Sequence, residues 1–323
     1  MLAMADLLAP IQAELQAVEA RLREVALEDQ HPALISALDH LLTSGGKRVR
    51  PAVALLTAHL FEDETSQAVS LAAAIEMLHT ATLVHDDLID GSLLRRGLPT
   101  LNAQWTPGAT VLTGDYLFAR AAELASETGS VRVMGVFSRT LMVIVNGEIN
   151  QMFVGRGEAS RQGYLRRIYA KTASLFAVAA EAASMLGGQD EATIAAMRSF
   201  GREVGMAFQI VDDILDFTGD ASQLGKPVGS DLRQGLFTLP VLVYLEQHPD
   251  DRDVAALLNG RGRDPERVER VVRAVRSSGA VSQALAEAKA YVARAQACLA
   301  AMPDNLYRQS LAGLADYFVS RNV

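Results

Sequence analysis

Two short aspartate motifs are the residues of this sequence whose types and spacing could most clearly do chemistry. The first reads Asp86-Asp87-Leu88-Ile89-Asp90 and the second reads Asp212-Asp213-Ile214-Leu215-Asp216. Residues four positions apart lie on one face of an α-helix, so the outer aspartates of each motif would present two carboxylates side by side. Both motifs end apolar segments, where the helix dipole disfavours negative charge. The pattern indicates carboxylates that need cations to neutralise them.

The type of ligand indicates which cation. Clusters of oxygen ligands select hard cations, and Mg²⁺ in particular is held by one or two carboxylates, with waters and substrate phosphates completing its octahedron. A diphosphate between the two motifs would satisfy this requirement. A single copy of the motif could equally be a solvated acidic helix end, but two copies on otherwise apolar helices favour a metal site.

Basic residues lie near the first motif in two segments. Gly45-Gly46-Lys47-Arg48-Val49-Arg50-Pro51 predicts a helix that begins at the glycines, with Lys47 and Arg50 on one face and free backbone N–H groups that favour anions. Arg95 and Arg96 follow the first motif within a few residues. Arginine suits phosphate binding because its donor fork is rigid and bidentate.

Two further lysines are candidates for phosphate binding. Lys171 and Thr172 lie in a predicted helix, and Lys226 lies in the Gly225-Lys226-Pro227 turn just after the second motif. Each lysine taken alone is more simply a solvated surface charge. Their combination with the aspartate motifs favours a phosphate site.

Other catalytic constellations find no support. His79 lies two turns before Asp86 and could donate to a phosphate, whereas His85 is equally consistent with packing. The zinc spacing HExxH is missing, as are the nucleotide loops GxxxxGK[ST] and GxGxxG. No Ser-His-Asp or Cys-His arrangement is evident.

The elements that must position these residues are helices. Apolar residues recur at three- and four-residue intervals almost throughout, and strand-like alternation is nearly absent. Glycine and proline residues divide the sequence into helices joined by short loops, and no segment has the length or composition of an interdomain linker. The sequence therefore predicts a single all-α domain over residues 1–323. The predicted helices are 5–25, 32–42, 46–61, 66–91, 108–126, 130–154, 161–187, 190–218, 233–247, 251–259, 264–276, 280–301 and 303–319.

Composition limits the possible functions. The net charge of -8 argues against a general nucleic-acid binder. The single cysteine, Cys298, cannot form an internal disulfide, which fits a reducing compartment, so we expect a cytoplasmic location. The N-terminus lacks the features of a signal peptide, and the apolar segments are interrupted by charges, as in LMVIVNGEINQMF, so we expect no stable membrane insertion.

Several segments together resemble the trans-polyprenyl diphosphate synthases. They are GGKRVRP, LHTATLVHDDLIDGSLLRRGLPTLN, GDYLFARA, KTASL, GMAFQIVDDILDFTGD and LGKPVGSDLRQG, in the order of that family over roughly residues 40–245. The resemblance implies an all-α bundle of long helices around a deep central cavity. It also implies a homodimer, although a heterodimer is open.

The resemblance further implies the reaction and the roles of the candidate residues. An allylic prenyl diphosphate would ionise, and isopentenyl diphosphate would attack the resulting carbocation. Isopentenyl diphosphate would be held by Lys47, Arg50, His79 and Arg96. The residues acting with Mg²⁺, about three ions with substrate bound, would be Asp86, Asp90, Asp212 and Asp216. The allylic diphosphate would be attended by Arg95, Lys171, Thr172, Gln209 and Lys226.

Product length depends on the helix that carries the first motif. Ala81 and Thr82 lie about one turn before Asp86, where short-chain members of the family tend to place an aromatic floor. Ala81 and Leu78 would leave an apolar tunnel open, so we expect a product of about C30 or more. The alternatives are a shorter farnesyl or geranylgeranyl product, and an ordinary packing role for Ala81.

One position departs from the family pattern, and two other functions share part of that pattern. Leu236 stands where many relatives have a lysine, so a phosphate contact is absent there and Lys226 would carry more of the binding. A class I terpene cyclase is disfavoured because its usual Asn/Ser/Glu metal motif is missing. A non-catalytic subunit is disfavoured because the aspartates and the GGKR cations are present, but a catalytic subunit of a heteromeric synthase is open.

Overall fold

The structure is a computed structural model that describes residues 3–24, 31–43, 46–61, 65–95, 97–154, 159–219, 228–259 and 264–320. Within these ranges the regular secondary structure is helical except for one small hairpin, which confirms the all-α prediction. The candidate residues Arg96 and Lys226 lie outside the described residues, as do Gly45, Gly225 and Pro227.

The N-terminal half contains the hairpin and the first motif. Its elements are α1 (Met4–Leu8), a 3₁₀ turn (Ala9–Ile11), α2 (Gln12–Glu24), α3 (Pro32–Thr43), α4 (Val49–Leu60), α5 (Thr65–Ile89), β1 (Leu94–Arg95), β2 (Leu98–Pro99), α6 (Leu101–Gln104), α7 (Pro107–Ser126) and α8 (Val131–Val154). The two strands are antiparallel, with Leu94 opposite Pro99.

The C-terminal half contains the second motif. Its elements are α9 (Arg161–Ile168), a π-helical segment (Tyr169–Ala173), α10 (Ser174–Leu186), α11 (Glu191–Thr218), α12 (Ser230–Arg233), α13 (Leu239–Gln247), α14 (Arg252–Leu258), α15 (Pro265–Ser277), α16 (Ala280–Leu299) and α17 (Leu306–Ser320).

The helix α10 holds the two motif-bearing helices in place. It packs against both α5 and α11, and nearly all of its residues are buried. One hydrophobic cluster is built on α4, α5 and α10, and a second is built on α11, α13, α15 and α16. The small side chains of α10, five of them alanine, allow neighbouring helices to approach closely. The two aspartate motifs are thereby carried on well-packed core helices rather than on loops.

Three predicted helices differ from the observed ones at functionally important places. The helix predicted from residue 46 begins at Val49, because Arg48 has φ 46° and ψ 35° in the left-handed region. Lys47 therefore precedes the helix and does not share a helical face with Arg50. The predicted helix 161–187 contains the π-helical segment, and the predicted helix 233–247 begins only at Leu239, after Gly235 has adopted φ 81°.

Smaller differences occur elsewhere. The predicted helix 5–25 is interrupted by the 3₁₀ turn at Pro10, because proline lacks the N–H that an α-helix requires. The last helix begins at Leu306 rather than at residue 303, and the hairpin and α6 were not predicted. Two-residue strands and one-turn helices are too short to leave a periodic pattern in a sequence.

One described helix is long and apolar enough to cross a membrane by length and composition. It runs from Ser66 to Ile89, and 78% of its most apolar window is buried within the protein. This is the environment of the core helix α5, which packs against α4, α7 and α10.

Candidate active site

The first aspartate motif lies at the end of α5. Asp86 and Asp87 are buried in its last turns, whereas Asp90 is exposed in the turn that follows. The Asp90 amide donates to the Asp86 carbonyl at 2.8 Å, so the helical spacing continues to Asp90. The two outer carboxylates are therefore one helical turn apart, as the sequence spacing indicated.

Lys171 lies between two carboxylates from different helices. Its Nζ is 2.9 Å from Asp86 Oδ2 and 3.1 Å from Glu148 Oε1. Burial acts to lower the pKa of Lys171, but Asp86 and Glu148 more than offset it and raise the pKa above its ordinary value. Burial raises the pKa of Glu148, and Lys171 only partly opposes that rise. The cation predicted to attend the allylic diphosphate thus contacts the first motif directly.

Glu148 is a site residue that the sequence prediction missed. It lies on α8, where the segment LMVIVNGEINQMF is otherwise almost free of charge. A charge on an apolar helix requires a partner when it is buried. The lone charge of Glu148 in this apolar segment was therefore the signal that the sequence offered. The sequence could not show that the partner is Lys171, because the two residues belong to different helices.

The π-helical segment presents Lys171 and Thr172 next to each other. Single-turn π-helical insertions in longer helices occur frequently at functional sites. Two glycines allow the neighbouring helices to approach this segment: a Cβ on Gly147 of α8 would lie 2.5 Å from Ala170 Cβ, and a Cβ on Gly205 of α11 would lie 2.5 Å from Ala173 Cα. Any larger residue at either position would push a helix away from the site.

Thr172 connects the same segment to the second motif. Its Oγ1 donates to Gln209 Oε1 at 2.6 Å, and Gln209 Nε2 donates to Asp213 Oδ1 at 2.8 Å. Tyr164 on α9 completes the chain, because its hydroxyl donates to Asp213 Oδ2 at 2.7 Å. The structure thus brings together Thr172 and Gln209, which the sequence analysis had grouped, and it adds Tyr164.

Asp213 is fully enclosed by this network. Burial raises the pKa of Asp213 to about 7, with a further rise from nearby Asp231, while Gln209 and Tyr164 act to lower it. Both carboxylate oxygens of Asp213 accept hydrogen bonds from protein groups. The middle aspartate of the second motif is therefore engaged by the protein itself.

The middle aspartate of the first motif is engaged in the same way. Arg95 Nε lies 2.9 Å from Asp87 Oδ2 and 3.1 Å from Asp87 Oδ1, and Arg95 Nη2 lies 2.8 Å from Asp87 Oδ1. This bidentate contact ties the hairpin to the end of α5. Arg95, predicted to attend a diphosphate, is held beside the first motif by Asp87.

The outer aspartates of the second motif differ in exposure. Asp212 is half-buried, whereas Asp216 is 1% exposed. The Asp231 amide donates to Asp216 Oδ2 at 3.2 Å, and the Gly229 amide donates to the Asp216 carbonyl at 2.8 Å. Asp216 therefore fastens the short helix α12 to the end of α11.

The cations near α4 occupy distinct environments. Lys47 is exposed, while the Arg50 guanidinium is buried and lies 5.2 Å from the centre of the Phe176 ring. Arg48, whose backbone is left-handed, is held by Glu19 and, at 2.8 Å, by Glu76. The three cations are therefore not equivalent, and Arg48 is committed to structural ion pairs.

Two cavities lie on opposite sides of α5. A small one of about 60 Å³ is lined by His79, Arg48, Asp87 and Arg95 among others. A larger one of about 290 Å³ is almost entirely apolar, lies between α5, α7 and α8, and has Asp86 and Glu148 at its polar end. Its wall includes Thr82, His85, Phe118, Ile144, Ile149 and Met152.

The predicted tunnel residues stand in different relations to the larger cavity. Thr82 lines it, whereas Ala81 and Leu78 are fully buried in the core. Leu78, Thr82, His85 and Ile89 follow helical spacing on one face of α5. Leu78 lies on the same face one turn farther from the aspartates, where it is fully buried in the core. His85, whose Nε2 lies 3.1 Å from the Val111 carbonyl, is part of this wall.

The donor set fits Mg²⁺ bound together with phosphates. All of the acidic groups in the two motifs offer oxygen, which hard divalent cations prefer. Among the described residues, no group of three or more His, Cys, Asp or Glu side chains is close enough to hold a metal alone. Mg²⁺ commonly takes only one or two carboxylates and completes its shell with substrate phosphates and water.

Comparison with known proteins places this site in context. The family model described as Polyprenyl synthetase matches residues 31–275. The chain is 40% identical to heptaprenyl diphosphate synthase component 2 of Geobacillus stearothermophilus over 96% of both proteins, and 37% identical to octaprenyl diphosphate synthase of Escherichia coli over 90% of both. The structure of a polyprenyl synthase from Caulobacter crescentus, solved with calcium and isoprenyl diphosphate, superposes on this chain with a TM-score of 0.93. The two sequences are 37% identical, and the match covers 99% of this chain and 98% of that one.

Proposed function

This chain belongs to the polyprenyl synthetase family and is a trans-prenyltransferase, and we propose that it uses Mg²⁺ to condense isopentenyl diphosphate with an allylic prenyl diphosphate. The observation that carries the proposal is the pair of adjacent residues in the π-helical segment. Lys171 contacts Asp86 of the first motif, and Thr172 reaches Asp213 of the second motif through Gln209. One short segment thus contacts the first motif directly and the second motif through Gln209.

The proposed roles follow from the charges that develop in the reaction. Cleavage of the allylic carbon–oxygen bond leaves a carbocation and a highly charged pyrophosphate, so the site must stabilise negative charge. Mg²⁺, when bound, would neutralise the pyrophosphate. We assign Asp86, Asp90, Asp212 and Asp216 as its ligands.

The protein cations and dipoles would share the remaining tasks. Lys171 and Arg95 would bind the departing pyrophosphate, and Lys47, Arg50 and His79 would hold isopentenyl diphosphate. The side chains of Thr172 and Gln209 would present dipoles near the carbocation. The roles of Arg96 and Lys226 stay predictions from the sequence, because both residues lie outside the described part of the chain.

The product is proposed to be long. The larger cavity is almost entirely apolar and begins at Asp86, so a growing prenyl chain would enter it from the diphosphate end. The relatives named above are a heptaprenyl and an octaprenyl diphosphate synthase. The apolar cavity supports a prenyl chain as its occupant, and the relatives support a product of about C30 or more.

A dimer of like chains is proposed to be the working form. The helix α8 exposes an apolar stripe of Met142, Val145, Ile149 and Met152, with Phe153 beside it at 83% exposure. Contiguous exposed apolar surfaces of this kind mark protein–protein contacts. A heteromer is the alternative, since one relative is named as a component 2.

Direct assay of the purified protein tests this proposal. The protein is incubated with Mg²⁺, labelled isopentenyl diphosphate and allylic primers of several lengths, and the products are separated by chromatography. We expect Mg²⁺-dependent elongation to about C30 or beyond. If no primer is elongated, either by the protein alone or after addition of cell extract to supply a partner, the prenyltransferase proposal is wrong.

A further inference from the structure

We propose that Glu148 is a positioning residue that keeps Lys171 in the active site when Asp86 binds the metal. This inference rests on the proposed function. Its basis is that Lys171 Nζ is shared between Asp86 Oδ2 at 2.9 Å and Glu148 Oε1 at 3.1 Å.

The shared lysine creates a competition at Asp86. Lys171 and a divalent cation compete for the lone pairs of Asp86 Oδ2, and a cation bound at that oxygen would displace Lys171 from it. The carboxylates of Asp86 and Glu148 are both largely buried, with side chains 8% and 16% exposed. The Lys171 side chain is 36% exposed, so the pair is partly buried, and separating it without a substitute partner is unfavourable. Glu148 offers Lys171 that substitute.

The backbone around Glu148 places this residue close to the segment that carries Lys171. Glu148 follows Gly147, and the close approach of Gly147 to Ala170 brings α8 directly against the π-helical segment that carries Lys171. Glu148 also borders the apolar cavity beside Asp86. Lys171 can therefore turn from Asp86 towards a diphosphate while it keeps its contact with Glu148.

The proposal requires that Glu148 act through Lys171 and not on the metal itself. If Lys171 is removed, Glu148 has no cation to hold and its effect on metal affinity should largely disappear. A direct metal ligand would behave differently, because its loss would weaken metal binding whether or not Lys171 is present. A double-mutant cycle separates these cases.

The experiment measures Mn²⁺ affinity by electron paramagnetic resonance in the presence of inorganic pyrophosphate. The proteins are the wild type, Glu148→Gln, Lys171→Met and the double variant. We expect Glu148→Gln to raise the Mn²⁺ Kd about tenfold in the wild-type background and less than about twofold in the Lys171→Met background. In steady-state assays Glu148→Gln should raise the KM for the allylic substrate as well as lower kcat.

A matched control is Glu191→Gln, which removes the ion pair with Arg132 at the other end of α8. Arg132 lies sixteen residues before Glu148 in the sequence, roughly 24 Å away along the helix. The control should leave the Mn²⁺ Kd within about twofold of wild type. Circular dichroism checks that each variant is folded.

Two results would overturn the proposal. Equal weakening by Glu148→Gln in both backgrounds would make Glu148 a direct contributor to the metal site, and an unchanged Kd in the wild-type background would leave it no positioning role. Neither result bears on the proposed function, which fails instead if the wild-type protein binds no Mn²⁺ with pyrophosphate.

Discussion

At the scale of single residues, the middle aspartates of the two motifs have the same structural role. The middle aspartate of each binds the protein: Asp87 accepts from Arg95, and Asp213 accepts from Tyr164 and Gln209. These contacts fix the ends of the two motif helices. The outer aspartates, which the helical spacing places on a common face, are the ones that we assign to Mg²⁺.

The raised pKa of Asp213 makes a test of its burial possible. Its pKa is about 7 in the folded protein against an ordinary value of 3.8, so the folded state favours the protonated carboxyl. The contribution of Asp213 to stability is therefore fully present below about pH 4 and is lost as the pH rises towards 7 and beyond. Replacing Asp213 by asparagine should remove that loss.

Urea unfolding of the metal-free protein at about pH 5 and about pH 7.5 measures this effect. The wild type should lose more free energy of unfolding between the two conditions than Asp213→Asn does. Parallel losses in the two proteins would show that Asp213 ionises normally in the fold.

At the scale of elements, the sequence allowed some features to be predicted and concealed others. The motifs, Lys171, Thr172 and Gln209 were recognisable because their types and spacing are local. Glu148 and Tyr164 were missed because each acts through a residue on another helix. The π-helical segment was read as ordinary helix, because one extra residue in a turn barely changes the apolar period of a long helix.

The break at Arg48 shows another limit. The GGKR segment was read as the start of a helix because glycine followed by cations suggested an anion-binding terminus. The helix begins later, at Val49, because Arg48 has a left-handed backbone, and the Arg48 side chain pairs with Glu19 and Glu76. Both partners come from other helices, so no local pattern could have revealed them.

Gly147 provides a test of how α8 is positioned. In Gly147→Ala the new Cβ would lie 2.5 Å from Ala170 Cβ, so α8 must move away from the π-helical segment. We expect a loss of about 1–3 kcal/mol in the free energy of unfolding and a lower kcat, because Glu148 moves with the helix. Both are measured on the purified variant.

Gly135→Ala on the same helix is the matched control. Its new Cβ would meet only Arg139 Nη1 at 3.4 Å, the end of a flexible side chain. Alanine is also the better helix former, by about 1 kcal/mol. The control should be at least as stable as the wild type, and equal behaviour of the two variants would contradict the close approach at Gly147.

The cavity wall on α5 provides a test of product length. Thr82 lines the larger cavity, so Thr82→Phe would place an aromatic ring across the path of the growing chain. We expect shorter products, seen by chromatography, with primer binding retained. Ser66→Phe, at an exposed position near the other end of α5, is the control and should leave the product length unchanged. Unchanged products in Thr82→Phe would remove this cavity from the product path.

At the scale of the whole molecule, the protein combines a helical core with an exposed apolar stripe on α8. The helices α5, α10 and α11 carry the site within the core, while the stripe on α8 is left exposed in the single chain. Residues of the stripe also line the larger cavity, so the proposed dimer contact and the proposed product path would share α8.

An acidic substitution in the stripe tests the proposed dimer. Met142 is 56% exposed, and Met142→Glu would bury an unpaired charge in an interface between chains. We expect this variant to sediment as a monomer at concentrations where the wild type is a dimer. Leu306→Glu makes the same kind of change at an exposed apolar residue outside the stripe and should not alter sedimentation. A wild-type protein that sediments as a monomer would contradict the proposal.

The most direct test of the central claim is the elongation rate of Asp86→Asn and Asp212→Asn with saturating isopentenyl diphosphate, an allylic primer and Mg²⁺. Each substitution is nearly isosteric and removes one carboxylate that we assign to the metal. We expect each variant to remain folded and to elongate at least about 100-fold more slowly than the wild type. Elongation at a rate close to that of the wild type in either variant would contradict the assignment of the two aspartate motifs as the catalytic centre.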